Sequence, residues 1–560
     1  MKNTLLLIIV ILFTVACKTD KKISQEPDLK QSQDSLKTPF VWESANLYFL
    51  LIDRFKNGDL TNDNPLDRNK SAGVLRSFEG GDLKGVIQKI EDGYFTDLGI
   101  NAIWMTPVVE QIHGSVDEGT GNSYGFHGYW TKDWTAIDPN YGTKKDLKEL
   151  VEKAHAKGIR IVLDAVINHT GPVTDKDPVF PKTWVRTGPQ CTYDNYDNYI
   201  NCTLVENLPD IKTESNESVE LPKPLADKWK KEGRYEEEMA ELDAFFKETG
   251  YPRAPKYYIM KWLSDYIADY GIDGYRVDTV KHTYEDVWIE FSKVCDEKFK
   301  AYKTNHPEKV LDNNDFFLVG EVYNYGINTK RLFDFGDKKV DYFATGFNSL
   351  INFDFKGDAN GTFEDMFTKY SKILNSDLKG FTVMNYLTSH DDGNPFDKNR
   401  TRTFEAGTKL LLTPGISQVY YGDESSRDLD ISGAVGDATL RSKMNWDEIA
   451  KNVSMKNLLQ HYQKIGQFRA KHPSIGAGLH QQITAKPYVF YRSYQKENYK
   501  DLVVVALELN KGDKTLKVAP IFKDGMALLD AYSNQKVTVQ NGEVKLSSPF
   551  SIVLLEPVLK

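Results

Sequence analysis

Cysteine is scarce in this chain, and none of it lies at the spacing of a zinc site or a redox-active pair. There are four cysteines in 560 residues. Cys191 and Cys202 lie in one loop-rich segment and could pair in an oxidising compartment. Cys295 lies in a helical pattern that begins at Val287, which predicts a small buried thiol.

An excess of positive charge is also missing. The chain has 71 Lys and Arg against 80 Asp and Glu, a net charge of −9. Proteins that bind nucleic acid normally carry a basic face or stripe, so this balance argues against such a partner. With 40% hydrophobic and 27% charged residues, the composition excludes both a multi-pass membrane protein and wholesale disorder. A chain of this length is expected to form two or three domains.

The longest apolar run, residues 5–15, is too short to span a bilayer and has the layout of a secretory signal. Ala16 and Cys17 follow it, which resembles a bacterial lipoprotein signal with Cys17 as the lipidated N-terminus. An ordinary cleaved signal, with Cys17 incidental, stays open. We predict a signal over residues 1–17, a flexible tether over 18–40, and export. The exported protein would be anchored by its lipid to a bacterial envelope membrane, in the periplasm or at the cell surface, and otherwise secreted.

A glycine-rich phosphate or dinucleotide loop is missing after the early strands, which weakens an open, doubly wound sheet. Instead, short apolar runs alternate with helical patterns such as residues 146–157 and 257–270. Continuous apolar runs indicate strands that are buried on both faces, hence a parallel sheet covered by helices. Eight such runs predict a closed (β/α)₈ barrel. They lie at residues 47–52, 101–104, 159–163, 273–277, 317–320, 342–344, 383–387 and 418–421.

Two stretches depart from the barrel pattern. Residues 169–253 are too long for a barrel loop and include a charged helical piece around 228–247, so we predict an inserted domain on the C-terminal face of the barrel. Residues 471–560 contain short apolar or alternating runs between turn residues, which predicts a C-terminal antiparallel β-sandwich. The catalytic barrel would then comprise residues 41–168 and 254–470.

The predicted strands end in acidic and basic side chains, where barrels of this kind carry their active sites. In the fourth strand, the period of two puts Arg276 and Asp278 on the same side, facing the barrel mouth. Each residue alone has an ordinary structural explanation. Carboxylates that converge from several strand ends are costly, however, unless function requires them. The residues concerned are Asp164, Asn168, His169, Arg276, Asp278, Glu321, His390 and Asp391.

The same residues carry a resemblance to the α-amylase family, glycoside hydrolase family 13, over about residues 44–560. Seven segments resemble family motifs and occur in family order, which makes chance a poor explanation. They are residues 48–55, 127–130, 164–169, 208–211, 274–282, 320–322 and 389–391.

This resemblance implies a retaining hydrolase that cleaves α-1,4-glucosidic bonds of starch, glycogen or maltooligosaccharides. It implies that Asp278 is the nucleophile, Glu321 the general acid/base, and Asp391 the residue that stabilises the distorted sugar. Retaining enzymes need the first two carboxyl groups about 5–5.5 Å apart and the acid's pKa raised. The implied substrate-binding residues are Tyr129, His127, Trp130, Asp164, His169, Arg276, Lys281, His282 and His390.

The resemblance also implies calcium. Asn168 at the barrel mouth and Asp210 in the insert are oxygen donors suited to this ion, and the main-chain oxygen of His282 would complete the site. A second site resembles a calcium loop of cyclodextrin-forming relatives, although ordinary turns use the same residue types. Its residues would be Asn57, Asp59, Asn62, Asp63 and Asp82.

Alternatives to an α-amylase stay open at this stage. Within the family, residues 208–211 and the Lys281-His282 pair resemble those of α-1,4-acting amylases more than those of α-1,6-glucosidases. The nearest alternative is a cyclomaltodextrinase, a neopullulanase-like enzyme or a glucanotransferase. A catalytically inactive glycan-binding lipoprotein is disfavoured, because Asp278, Glu321 and Asp391 are all present. The predicted partners are an α-glucan and, through the lipid, a membrane; the sequence does not predict the oligomeric state.

Overall fold

A computed structural model describes residues 38–558 apart from Thr120, so the predicted signal, Cys17 and most of the predicted tether lie outside the described residues. Eight short parallel strands close into a barrel, and each strand pairs with the next in sequence until the last returns to the first. This confirms the predicted (β/α)₈ barrel. The strands are β1 (Asn46–Leu50), β2 (Ala102–Met105), β3 (Arg160–Ala165), β4 (Gly274–Val277), β5 (Phe317–Gly320), β6 (Ser349–Asn352), β7 (Thr382–Tyr386) and β8 (Ile416–Tyr420).

Helices cover the outside of the barrel, and strands such as β1, β3 and β4 are therefore buried along their whole length. The α2 helix begins at a capping box in which Thr143 and Asp146 satisfy each other's main-chain amides. The longer helices are α1 (Leu83–Glu91), α2 (Lys144–Ala156), α3 (Lys223–Glu232), α4 (Tyr235–Thr249), α5 (Pro255–Tyr270), α6 (Glu285–Asn305), α7 (Phe363–Leu374), α8 (Thr403–Leu412) and α9 (Val453–Lys471). Short helices lie at Ile52–Phe55, Tyr94–Asp97, Asp197–Ile200, Phe355–Asp358, Trp446–Lys451 and Ser474–Ala477.

The predicted sixth strand was wrong. Residues 342–344 lie in a 3₁₀ helix, Tyr342–Thr345, whose start is capped by the Asp341 side chain on the amide of Ala344. The strand that enters the barrel is β6, whose two end residues, Ser349 and Asn352, are fully buried polar side chains. Apolar runs therefore could not reveal it. The Asn352 amide nitrogen donates to Asn385 Oδ1 at 2.8 Å, which satisfies the polar group inside the barrel.

Between β3 and α5 the chain leaves the barrel and forms the segment that contains α3 and α4. Its short strands Val185–Arg186 and Asp210–Ile211 pair with each other. Lys228 on α3 joins this segment to a neighbouring excursion of the chain, since its ammonium lies 2.7 Å from Glu110 and 2.9 Å from Asp133.

Glu110 and Asp133 belong to a second long excursion, between β2 and α2, which the sequence did not indicate. It contains the paired strands Val109–Gln111 and Thr131–Ile137, and a smaller pair at Val116–Asp117 and Asn122–Ser123. A further short pair, Phe333–Asp334 with Lys339–Val340, lies between β5 and β6.

After α9 the chain forms an antiparallel sheet, as predicted. Its strands are β9 (Leu479–Thr484), β10 (Tyr488–Lys496), β11 (Tyr499–Leu507), β12 (Gly512–Lys517), β13 (Ala527–Asp530), β14 (Gln535–Thr538), β15 (Glu543–Ser548) and β16 (Val553–Pro557). Six form one sheet in the order β9-β10-β11-β16-β13-β14, and β12 pairs with β15. His472 joins α9 to this sheet, because its ring nitrogens lie 2.7 Å from Asp501 and 2.6 Å from Glu556. Over the described range, no helix combines the length and the apolar character needed to cross a membrane.

Candidate active site

One buried guanidinium holds three carboxylates together at the C-terminal mouth of the barrel. Arg276 Nη1 lies 2.6 Å from Asp278 Oδ1 and 3.1 Å from Asp164 Oδ1, and Arg276 Nη2 lies 3.0 Å from Glu321 Oε2. All four side chains are at least 90% buried. Two carboxylates can share a single guanidinium only when they lie close together. Asp278 and Glu321 therefore lie side by side on one guanidinium, an arrangement compatible with the adjacent carboxyl pair of a retaining glycosidase.

The barrel register explains this convergence. On neighbouring strands, Arg276 of β4 pairs with Asp164 of β3, and Val277 pairs with Gly320 of β5. Asp278 and Glu321 are thus the first residues after two adjacent strands, and they emerge at the same level.

Thr279, directly after Asp278, adopts a left-handed conformation with φ of 50°. Such a backbone is strained for a β-branched residue and is found where a site requires it. Here it turns the Thr279 amide toward Glu321, whose Oε2 accepts a hydrogen bond from it at 3.0 Å. The strain therefore serves to orient the Glu321 carboxyl group.

Asp164 is held from the side opposite Arg276. Its Oδ2 accepts hydrogen bonds from the Trp104 indole at 3.1 Å and from the Tyr129 hydroxyl at 2.8 Å. The Tyr129 ring in turn stacks on His390, with centroids 5.2 Å apart and planes at 21°. Tyr129 and His390 thus form an aromatic wall beside the carboxylates.

Burial dominates the electrostatics of the cluster. Burial, together with the negative charges of Asp278 and Asp391, raises the pKa of Glu321 to about 8, although Arg276 opposes the shift. Burial likewise raises the pKa of Asp164. Glu321 is therefore protonated at neutral pH, which is the state of a general acid.

Asp391 differs from Glu321 in being 41% exposed. Burial raises its pKa, but the positive charges of Arg276 and Arg441 and the hydrogen bond from Ser389 outweigh that effect and hold the pKa below its ordinary value. The Ser389 hydroxyl donates to Asp391 Oδ1 at 3.0 Å, and the Arg441 Nε donates to the main-chain oxygen of His390 at 2.9 Å. Asp391 is thus an ionised carboxylate beside a neutral acid, the asymmetry on which acid–base catalysis by carboxyl pairs depends.

Two grooves open at the edge of the cluster, one beside Glu321 and one beside Asp391. The first opens beside Glu321 and is lined by Tyr193, Tyr199, Thr279, Lys281, His282, Tyr323 and Asn324. The second opens beside Asp391 and is lined by Gly393, Lys398, Asp430, Ala434, Gly436, Asp437 and Thr439. A chain-like ligand that lies across the three carboxylates can therefore extend in both directions.

Several predicted binding residues surround the cluster. Burial lowers the pKa of both His282 and His390 to about 4, so both are neutral rings. His282 Nδ1 lies 2.7 Å from the main-chain oxygen of Tyr199, so this nitrogen is the donor. His169 Nε2 lies 3.1 Å from the main-chain oxygen of Tyr129. Burial lowers the pKa of Lys281 to about 8, and its ammonium donates to the main-chain oxygen of Tyr323 at 3.3 Å.

Two predicted binding residues lie outside the carboxylate cluster. His127 Nδ1 accepts a hydrogen bond from the Tyr129 amide at 3.1 Å, so this ring supports Tyr129. Trp130 packs in a small apolar cluster with Ile112 and Leu208. Conversely, the sequence analysis missed Trp104, although its place near the end of β2 was a usable signal. It also missed Arg441 and the tyrosines of the first groove, for which no signal was available.

The residues predicted to bind calcium contain unsatisfied polar atoms. Both side-chain polar atoms of Asn168 and the Oδ1 of Asp210 are buried without a hydrogen-bond partner, whereas Arg186 pairs with the other Asp210 oxygen. Buried oxygen atoms are rarely left unpaired, so these residues fit a cation ligand set. Within residues 38–119 and 121–558, no group of three or more His, Cys, Asp and Glu side chains converges as a metal site, so the remaining ligands would be main-chain oxygens or water.

The second predicted calcium loop fits less completely. The side-chain oxygens of Asn57 and Asn62 are buried and unpartnered. Asp82, in contrast, is engaged at the start of α1, where its Oδ1 accepts from the Gly85 amide at 2.7 Å. Its Oδ2 accepts from the Asp59 amide at 2.8 Å. Both carboxylate oxygens of Asp82 therefore already accept main-chain hydrogen bonds, which makes this residue a poorer calcium ligand than Asn57 or Asn62.

Comparison with known proteins agrees with this geometry. A profile of the α-amylase catalytic domain matches residues 49–474. The chain belongs to the α-amylase family of glycoside hydrolases. It is 34% identical over 534 residues to a periplasmic α-amylase of Escherichia coli (strain K12), a match that covers 83% of this chain and 73% of that protein.

Other members of the α-amylase family also match. The chain is 28% identical over 478 residues to a cyclomaltodextrin glucanotransferase of Niallia circulans, which covers 83% of this chain but only 59% of that protein. A crystal structure of an Anoxybacillus α-amylase covers 93% of this chain and 99% of its own, with a TM-score of 0.62 at 24% identity. The structural likeness supports the fold, and the sequence matches supply the family.

Proposed function

We propose that the chain cleaves α-1,4-glucosidic bonds of starch, glycogen or maltooligosaccharides with retention of configuration. The observation that carries this proposal is the Arg276 guanidinium, which joins Asp278 and Glu321 at the mouth of the barrel. That arrangement places a carboxylate paired with a guanidinium beside an acid whose pKa burial raises. The E. coli relative is named an α-amylase, which agrees with this substrate class.

In the first step, Glu321 gives its proton to the glycosidic oxygen while Asp278 attacks the anomeric carbon, and a covalent glycosyl-enzyme forms. Glu321, now ionised, takes a proton from water, which displaces Asp278 and completes hydrolysis. Asp391 stabilises the positive charge that develops on the sugar ring. Arg276 keeps Asp278 oriented throughout, and Asp164, His169 and His390 bind hydroxyl groups of the sugar while Tyr129 packs on its face.

We also propose one structural calcium at Asn168 and Asp210, with the main-chain oxygen of His282. The unpartnered oxygens of the first two residues support it. The ion would supply positive charge that holds the inserted segment to the barrel. A second calcium at Asn57, Asp59, Asn62, Asp63 and Asp82 is a smaller proposal, supported by the unpartnered oxygens of Asn57 and Asn62.

Export is a further part of the proposal. The E. coli relative is named periplasmic, and the disulfide between Cys191 and Cys202 fits an oxidising compartment. We propose lipidation of Cys17, which follows a signal-like run, as the anchor. Radiolabelled palmitate incorporation that disappears in Cys17→Ala would support the anchor, and unchanged labelling would contradict it.

The second candidate function is glucanotransferase or cyclodextrin-degrading activity, because a cyclomaltodextrin glucanotransferase is among the relatives. Incubation with amylose and, separately, with β-cyclodextrin distinguishes the candidates when products are separated by size over time. We expect linear maltooligosaccharides from amylose and slow attack on the cyclodextrin. Cyclic products, or faster attack on cyclodextrin than on amylose, would favour the second candidate. The Asp278→Asn variant serves as the control without catalysis.

A further inference from the structure

We infer that the disulfide between Cys191 and Cys202 determines how tightly the enzyme holds the leaving-group end of a long α-glucan; this inference rests on the proposed function. The disulfide joins two residues 11 positions apart, with Cα atoms separated by 4.9 Å. We call residues 191–202 the disulfide loop. It lies in the inserted segment and reaches the first groove, beside Glu321.

The disulfide loop has two faces. Tyr196 and Ile200 are buried and anchor it to the protein. Tyr193 is 45% exposed, and its ring contacts Tyr199 edge-on at 5.0 Å. The rings of Tyr193 and Tyr199 therefore form an aromatic wall along one side of the groove.

The opposite wall carries Tyr323, which is 50% exposed and lies two residues after Glu321. The Lys281 ammonium lies between the walls, 5.1 Å from the centre of the Tyr199 ring and 5.2 Å from that of Tyr323. Aromatic faces pack on the apolar face of a sugar, while an ammonium donates to its hydroxyl groups. The groove thus has the chemistry to hold glucose units.

Glu321 defines which end of the substrate enters this groove. The general acid must reach the oxygen of the bond that breaks, so the sugars beyond that oxygen lie on the acid's side. Glu321 lines the groove of the tyrosines, and Asp391 lines the other one. Tyr193 and Tyr199 therefore contact the leaving group rather than the sugar that becomes attached to Asp278.

The C-terminal half of the disulfide loop is also held by bonds to the rest of the protein, since Tyr196 donates its hydroxyl to Glu285 and Arg186 donates to the main-chain oxygen of Ile200. Tyr193 lies at the other end, beside Cys191, where its ring contacts the rings of Tyr199 and His282. The main-chain oxygen of Tyr199 accepts from His282 Nδ1 at 2.7 Å, and the Tyr196 amide donates to Asp337 at 2.9 Å. The side chains of residues 192–194 are exposed. Opening the disulfide would let this segment move, and ordering two tyrosine side chains again upon binding would cost about tenfold in affinity.

The test compares Cys191→Ser/Cys202→Ser with wild type on two substrates, in excess calcium. Maltoheptaose occupies the leaving-group groove, whereas p-nitrophenyl α-maltoside places only a nitrophenyl group there. We expect the KM for maltoheptaose to rise about tenfold and kcat/KM for the aryl maltoside to stay within about twofold of wild type, with no change in fold by circular dichroism. Tyr251→Ala, which removes a half-buried tyrosine stacked on Tyr257 elsewhere in the chain, is the matched control and should change neither value.

A double-mutant cycle shows whether the disulfide acts through Tyr193. Tyr193→Ala should raise the KM for maltoheptaose in wild type but add little in the double-serine variant. Fully additive effects, or an unchanged KM in the double-serine variant, would overturn the inference. If that variant does not fold, wild type is assayed with and without a thiol reductant, with free thiols counted; an equal KM after full reduction of the pair also overturns it. Wild type that hydrolyses neither substrate would instead refute the proposed function.

Discussion

Replacing Arg276 with methionine should both destabilise the protein and abolish catalysis, because both depend on the cation that pairs with the buried carboxyl groups of the site. The guanidinium is 1% exposed and contacts Asp164, Asp278 and Glu321. Methionine fills much of the same volume but leaves these buried carboxylates without their cation. Removing one partner of a buried ion pair typically costs about 3–5 kcal/mol.

That cost converts into a measurable shift of the thermal midpoint. An unfolding entropy of about 2.1 cal/mol/K per residue over roughly 520 described residues gives about 1.1 kcal/mol/K, so Arg276→Met should unfold about 3–5 °C below wild type. This conversion applies if the described chain unfolds as one unit. Calorimetry at pH 7 in excess calcium measures the shift.

The difference in thermal midpoint between Arg276→Met and wild type should increase as pH rises. Arg276 holds down the pKa of Asp164 and of Glu321, so without the guanidinium these pKa values rise further in the folded state. The folded variant then binds more protons than the unfolded chain. Stability of the variant relative to wild type therefore falls as pH rises and recovers as pH decreases toward the ordinary carboxyl pKa. We expect a larger midpoint difference at pH 8 than at pH 5.

A second buried arginine provides the control. Arg469 is also 1% exposed, but its guanidinium donates to main-chain oxygens such as those of Leu411 and Thr413. Arg469→Met should lower the midpoint by an amount that changes little between pH 5 and pH 8. An Arg276→Met deficit that is equally independent of pH, or absent, would refute the electrostatic account of the cluster.

Three further outcomes follow from the site. Asp278→Asn should reduce turnover of amylose by at least about 10³-fold, and its thermal midpoint should fall less than that of Arg276→Met, because Arg276 keeps its contacts with Asp164 and Glu321; appreciable hydrolysis by this variant would contradict its role as nucleophile. Because Glu321 acts as an acid and its pKa is raised to about 8, kcat/KM for maltoheptaose should fall as pH rises through about 8. The same fall should be weaker for an aryl maltoside, whose leaving group needs less protonation, and equal profiles would argue against this acid. Chelation of calcium should lower the thermal midpoint of wild type and added calcium should restore it, whereas Asn168→Ala should begin lower and respond less; identical responses of the two proteins would place the ion elsewhere.

The barrel could be predicted from the sequence because most of its strands are buried on both faces and are therefore apolar throughout. The exception, β6, shows the limit of that signal. Its ends, Ser349 and Asn352, are polar and buried, and Asn352 is satisfied by Asn385 and Tyr370 from elsewhere in the chain. A local sequence pattern contains no information about such distant partners. The aromatic residues Tyr342 and Phe343 formed the nearest apolar run, so the strand was predicted there instead.

The candidate site shows a similar division. Asp278 and Glu321 directly follow barrel strands, and Asp164 and Arg276 are the second-last residues of theirs, so strand prediction together with the family motifs was enough to bring them together. Trp104 is also the second-last residue of a strand, but it is an apolar residue and reads as part of the core. The positions of loop residues such as Tyr193 relative to the site depend on the path of a chain segment far from any strand end. No periodicity fixes their direction, and only the folded structure places them at the groove.

The carboxylate cluster at the strand ends is common to hydrolysis and glucan transfer, so the residues that distinguish the two reactions must lie in the loops around it. Both reactions form a glycosyl-enzyme on Asp278, and both need Glu321 first as acid and then as base. They differ in the second step, where either water or the hydroxyl group of another glucan reaches the anomeric carbon. The acceptor must come from the groove that the leaving group has just vacated, beside Tyr193, Lys281 and Tyr323. If the side chains of this groove bind glucose units tightly, they raise the local concentration of a sugar acceptor relative to water. Substitutions in that groove should therefore change the ratio of transfer to hydrolysis, while substitutions around Arg276 should slow both reactions together.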